Sequence, residues 1–161
     1  MRRKKYVKSI GYMKASYNTQ TRKHCRYITS EWQKEQLRNN DYTCFISGKQ
    51  STMKKRVNLD VHHLEMSFDE IVKLAHKNLG LEYHHYTNEY DSEDLDLLDK
   101  EIIRIHNEEI TGIVLTPELH DALHRRYGAN PSMDDIRESK RYYRSHRHKS
   151  CNSCYKNKNL A

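Results

Sequence analysis

The chain has 161 residues, of which 35% are hydrophobic and 32% charged, and its formal net charge is +7. That length suits one domain with additional arms, and the balance points to a polyanionic partner, nucleic acid before membrane. It holds no run of ~18 apolar residues such as a membrane helix needs; no apolar stretch follows the basic Met1–Lys5, so no secretory signal is expected; and four scattered cysteines do not make a disulfide framework, so reduced thiols and a cytoplasmic location are expected.

Residues 1–29 are basic and Tyr-rich and read as an N-terminal arm. Thr29 or Ser30 can cap a helix over about 31–39, with Trp32 and Leu37 directed inward. Tyr42 to Ile46 is β-prone, Ser47 to Gln50 is a turn, and Val57, Leu59 and Val61 alternate with polar residues. These two short strands are expected to form a hairpin ending at His62-His63. Ser67 is a good N-cap, and Phe68, Ile71, Val72, Ala75 and Leu79 form one helical stripe closed by Gly80. A Tyr/His-rich loop follows. Ser92 opens an acidic helix to about Asn107, with Leu95, Leu98, Ile102 and Ile105 on one side. Residues 110–115 read as a strand. Thr116-Pro117 starts a helix that runs to Tyr127 and stops at Gly128. Ser132 caps a last helix from Met133 towards Tyr143, and a basic polar tail completes the chain.

Charge is segregated along this order. Residues 1–40 hold 11 Lys/Arg against 2 Asp/Glu, residues 67–109 hold 4 against 12, and residues 137–161 hold 8 against 1. Two basic ends thus flank an acidic middle. In a DNA-binding protein, basic arms supply phosphate contacts and an acidic face turns away from the duplex.

The chemistry-bearing pattern is a strand ending at His62-His63, a second strand, and a helix carrying His120 and His124. The helical pair is four apart and shares one face. Imidazole is a common ligand for divalent transition metals. Neighbours on a strand point to opposite faces, so His62 and His63 cannot both bind one metal from a regular strand; one can bind metal while the other reaches a water, provided the backbone turns there. An unperturbed imidazole, with a pKa of about 6.5, is suited to general base chemistry. The second pair, His84-His85, has neither a preceding strand nor a matching helix and reads as a solvated or partly buried pair.

The stretches Y-T-C-F-I-S-G (42–48), L-D-V-H-H-L (59–64) and G-I-V-L-T-P-E-L-H-D-A-L-H-R-R-Y-G (112–128) resemble the HNH, or ββα-metal, nuclease motif. The likeness is to small phage and intron-associated homing endonucleases, with a helix segment similar to that of colicin nuclease domains. It covers residues 30–130. The fold it implies is α+β: a small ββα-metal nuclease core with a helical insertion over about 67–109, between a basic arm at 1–29 and a basic C-terminal helix and tail at 131–161. The activity it implies is metal-dependent hydrolysis of phosphodiester bonds in double-stranded DNA, by nicking or double-strand cleavage, leaving 5′-phosphate and 3′-hydroxyl ends. A phage-encoded member would work in the bacterial host cytoplasm.

Carried over, the resemblance makes His63 the general base, and His62 and His120 ligands of a divalent ion (Mg²⁺, Mn²⁺ or Zn²⁺). It makes His124 a third ligand or a contact to the scissile phosphate. The family's middle Asn position holds Thr111, which offers one side-chain hydrogen bond where Asn offers two. Asn107 or His106, at the end of the acidic helix, are alternative substitutes. The stretch between His63 and the second strand is longer than in simpler members. A non-catalytic DNA-binding module on the same scaffold is the competing expectation, with Thr111 as its support. A toxin-type nuclease shares the chemistry.

Lys54, Lys55 and Arg56, just before the His62 strand, are expected to grip the DNA backbone near the cut. Arg125 and Arg126 on the His120 helix, and Arg141 and Arg144 on the last helix, are further candidate DNA contacts, and the interleaved Tyr6, Tyr12, Tyr17, Tyr27, Tyr142 and Tyr143 can stack on sugars or bases, or simply pack. Cys44 is expected to be a small buried hydrophobe, because Ser47 stands where a CxxC would place its second thiol. Cys151-x-x-Cys154 is a complete CxxC that could help hold a structural zinc only with further ligands from elsewhere.

Overall fold

The computed structural model describes residues 19–146. The basic run at 2–5, the tyrosines at 6, 12 and 17, and Cys151-x-x-Cys154 lie outside the described residues. The fold is α+β. In chain order the elements are α1 (Gln20–Ile28), α2 (Ser30–Asn39), β1 (Asp60–His63), α3 (Phe68–Leu79), α4 (Ser92–Glu109), β2 (Gly112–Leu115), α5 (Pro117–Tyr127) and α6 (Met133–His146), with a short 3-10 turn at Thr87–Glu89. No helix among the described residues is long and apolar enough to cross a membrane. The chain divides into two compact units, one of residues 1–32 with 68–110 and the other of 33–67 with 111–161, each seen over its part of 19–146.

The first unit contains α1, α3 and α4. The stripe Phe68, Ile71, Val72 and Ala75 is buried, as are Leu98, Ile102 and Ile105 on α4. Helical spacing places each set on one face. Part of the expected arm is a helix in this unit. Thr19 caps α1 by accepting the Arg22 N–H at 3.2 Å, and Cys25 is fully buried. The basic side chains of α1 meet the acidic helices: Arg22 contacts Asp69 at 2.8 Å, and His24 contacts Asp99 at 2.9 Å. Arg26 stacks over the Phe68 ring at 4.5 Å. For these residues, then, the charge segregation is matched within the unit. The chain breaks between α1 and α2 at buried Thr29, whose hydroxyl donates to the carbonyls of Cys25 and Arg26.

The second unit holds the sheet. β1 and β2 are antiparallel, with Asp60 opposite Leu115, Val61 opposite Val114, His62 opposite Ile113 and His63 opposite Gly112. All four β2 residues are buried. Cys44, Ile46, Ile113, Leu115, Leu123 and Ile136 form the core around them. Gly112 is required by space, because a Cβ there would lie 2.5 Å from Gln36 Cγ and 2.8 Å from Val61 Cγ1.

The expected hairpin of 42–46 with 57–61 does not form. Residues 42–46 make tight turns, with Asp41 and Tyr42 both at φ 49° and only a single bridge from Thr43 to Gln50. The Phe45 N–H still reaches the Val114 carbonyl at 2.8 Å. The first strand starts at Asp60 and pairs with β2, across the intervening α3 and α4. The strand expected at 110–115 is four residues long, starting at Gly112. The caps are as expected. Pro117 opens α5, and Gly128 (φ 88°) closes it. Ser132 accepts the Asp135 N–H at 3.3 Å, while its own hydroxyl and N–H donate to the Asp135 carboxylate.

Candidate metal centre

β1 and α5 bring three imidazoles to one point. His62 leaves the buried face of β1 and is 2% exposed. His120 and His124 stand one turn apart on α5. His62 Nδ1 lies 3.3 Å from His120 Nε2, and His124 Nε2 lies 3.1 Å from the same atom. The three nitrogens all fall within 4.8 Å of one another. Imidazole nitrogens bound tetrahedrally at about 2.0–2.1 Å stand ~3.3 Å apart. The two close pairs meet that spacing.

The outward nitrogens explain the orientation. His120 Nδ1 lies 3.3 Å from the Asp60 carboxylate, which can only accept, so that nitrogen carries the proton. His124 Nδ1–H donates to the Gly128 carbonyl at 2.9 Å, tying the ring to the end of its own helix. Both Nε2 lone pairs therefore point inward. A metal-binding histidine commonly donates its second N–H to a carboxylate or carbonyl in this way. The Nε2 of His62 is buried without a hydrogen-bond partner, although the nearby Pro131 carbonyl favours a proton on this ring. Burial, and then the two neighbouring imidazoles, lower the His62 pKa to about 4. Burial also lowers that of His120, against the pull of Asp60. These two rings are neutral at pH 7, the form a metal ligand needs. The donor set, with two of its three nitrogen pairs at ligand spacing, could thus hold a metal ion.

His63 is next in the chain and half-buried, and strand alternation sends it to the other face. Only one member of the pair joins the cluster. Thr111 does more than its side chain alone promised. Its N–H and hydroxyl both donate to the Glu65 carboxylate at 2.6 Å, and its carbonyl accepts the Leu64 N–H at 3.1 Å. Asn107 is exposed on α4 in the first unit. His106 is fully buried in that unit, donating to the Ile102 carbonyl at 2.7 Å and meeting the Trp32 ring edge-on, so it is a packing residue.

Sequence reasoning missed Asp60 and Glu65. Asp60 had a legible signal, since it lies two residues before His62 and so on the same face of the strand. Glu65 had none, because its partner is 46 positions away.

Lys54, Lys55 and Arg56 are exposed on a turn closed by reciprocal backbone hydrogen bonds between Thr52 and Lys55, at 2.9 and 3.2 Å. Arg125 is exposed on α5, and Arg141 and Arg144 are exposed on α6. Arg126 is engaged within the unit, ion-paired to Glu138 at 2.5 Å and lying over the Tyr127 and Tyr142 rings. Cys44 is fully buried, and its sulfur accepts the Ser47 N–H at 3.4 Å. The His84-His85 pair anchors its loop. The His84 N–H donates to Tyr90 Oη at 2.9 Å, and the His85 carbonyl accepts the Thr21 N–H at 3.2 Å. Comparison of the chain with protein-family models, curated proteins and solved structures found no match.

Proposed function

We propose that this chain is a metal-dependent endonuclease that hydrolyses phosphodiester bonds in double-stranded DNA, with β1, β2 and α5 as a ββα-metal core. The observation that carries the reading is the convergence of His62, His120 and His124, with the outward nitrogens of His120 and His124 held by acceptors, next in the chain to an imidazole on the opposite strand face. His62, His120 and His124 would hold the ion, and three imidazoles suit Zn²⁺ or Mn²⁺ better than Mg²⁺. When bound, it supplies positive charge against the negative charge that builds on the scissile phosphate.

His63 acts on the attacking water. It takes the water proton as the oxygen bonds to phosphorus and the bond to the 3′ oxygen breaks. The departing oxygen takes a proton from solvent, which leaves 5′-phosphate and 3′-hydroxyl ends. Strand alternation supports this division, because a histidine on the face away from the cluster is not committed to the metal. Lys54, Lys55 and Arg56 supply phosphate contacts just upstream of the strand that carries both groups.

The test is cleavage of supercoiled plasmid with Mg²⁺, Mn²⁺ or Zn²⁺ against a chelator control. Nicked or linear product is expected only with metal. His63→Ala is expected to lower cleavage by on the order of 10²–10⁴-fold with DNA affinity unchanged. Full activity in that variant, or DNA binding without cleavage under every metal, would overturn the reading in favour of a binding module.

A further inference from the structure

The end of the β1–β2 ladder is closed in an unusual way. His63 pairs with Gly112, the last residue pair of the sheet. The Leu64 N–H extends the ladder one step, to the Thr111 carbonyl at 3.1 Å. Glu65 then turns back onto the same residue. Its two carboxylate oxygens accept the Thr111 N–H and the Thr111 hydroxyl, each at 2.6 Å. Three hydrogen bonds thus converge on Thr111 from the two residues that follow His63.

Both residues are exposed, so the pair is not there to fill a core. The charge of Glu65 strengthens each bond, and its two oxygens make the grip bidentate. A strand end ordinarily frays. Here the backbone on the C-terminal side of His63 is held to the partner strand at Leu64 and again at Glu65. On the N-terminal side, His62 is buried at the histidine cluster. His63 is therefore the residue between two fixed points.

We propose that Glu65, held by Thr111, is a positioning residue for His63. The proposal rests on the nuclease reading for its catalytic consequence. Glu65 touches neither substrate nor metal; it sets the backbone from which the His63 imidazole projects. Misplacing a catalytic group by about 1 Å costs on the order of 10²-fold in rate.

The experiment compares Glu65→Ala, Thr111→Val and Thr111→Ser in the full chain. Metal-dependent plasmid cleavage, DNA affinity, metal affinity and histidine ring NMR are measured on each. Glu65→Ala and Thr111→Val are expected to lower kcat by about 10–100-fold. DNA and metal affinities should stay within about twofold of the parent, because His62, His120 and His124 are untouched. Thr111→Ser keeps the hydroxyl and is expected to restore kcat. The His63 ring signals should shift or broaden in the first two variants and return in Thr111→Ser, while the His62 and His120 signals hold still.

Unchanged His63 signals in Glu65→Ala would overturn the proposal. So would a loss of metal affinity equal to the loss of rate, which marks a general structural role. If the parent cleaves nothing under any metal, the nuclease reading fails, and the ring signals alone still decide whether the clamp orders His63.

Discussion

At the residue scale, the cluster turns on which nitrogen of each ring faces inward. His120 and His124 have acceptors on their outward nitrogens, the Asp60 carboxylate and the Gly128 carbonyl. Those acceptors are as much a part of the site as the ligands. Asp60→Asn replaces an anion that can only accept with an amide that can present its N–H₂ to the ring. It is expected to weaken divalent-metal affinity by about 10–100-fold with the fold retained, as read by competition with a chromogenic chelator. Affinity equal to the parent's would mean that Asp60 does not orient His120.

The same rings set a pH window. The folded pKa of His62 is about 4, below its unfolded value of 6.5, so the unfolded chain binds more protons between the two. The metal-free protein is expected to keep its full stability from this group above pH 6.5 and to lose it as pH falls towards 4. Burial lowers His76 and His106 as well, which adds to the loss in the same direction. Zn²⁺ at 100 times its Kd should stabilise the fold by about 2.7 kcal/mol near neutral pH, and that gain should vanish towards pH 4 as the ligands protonate. Thermal melts at a series of pH values, with and without metal, check both statements.

At the element scale, helix limits were legible because caps are local. Pro117, Gly128 and Ser132 each act within a few residues of their own position, and each marks a helix boundary, as Ser67 does by standing just before α3. The strands were not legible in the same way. The alternation at Val57, Leu59 and Val61 is compatible with a strand, but it carries no information on what that strand pairs with. The nearest candidate, Tyr42 to Ile46, is consumed by turns that bury Cys44 and Ile46 in the core. β1 pairs instead with β2, whose four buried residues need cover on both faces. Gly112 is the tightest point of that pairing. Gly112→Ala is expected to destabilise the protein by about 1–3 kcal/mol, because a Cβ there would lie 2.8 Å from Val61 Cγ1 in the facing strand and the neighbours must shift to admit it. Chemical denaturation measures it, and a change within about ±0.5 kcal/mol, the range of an unremarkable surface substitution, would show that Gln36 and Val61 yield freely.

At the scale of the whole molecule, the net charge of +7 conceals a division of labour. Arg22 and His24 are engaged by Asp69 and Asp99 within the first unit. Exposed cations of the second unit include Lys54, Lys55, Arg56, Arg125, Arg141 and Arg144. On the proposed reading, replacing Lys54, Lys55 and Arg56 together by Ala is expected to weaken DNA binding about equally across sequences. The slope of log affinity against log salt should fall by about 1 for every phosphate these three cations neutralise. A salt slope identical to the parent's would remove that turn from the interface.

The helices from α2 onward, the histidines worth following and the separation of His62 from His63 are readable from the chain of letters, whereas α1 lies in a stretch whose basic, Tyr-rich composition read as an arm. The helices rest on periodicity and capping, and the histidines on their place in short local motifs, all of which are properties of neighbouring residues. The folded molecule was needed to learn that β1 pairs with β2, that Asp60 holds His120, and that Thr111 grips Glu65. It was needed, too, to place Asn107 and His106 in the other unit. Strand pairing and charged hydrogen bonds between residues 46 to 60 positions apart depend on where the chain returns, and neither periodicity nor capping carries that information.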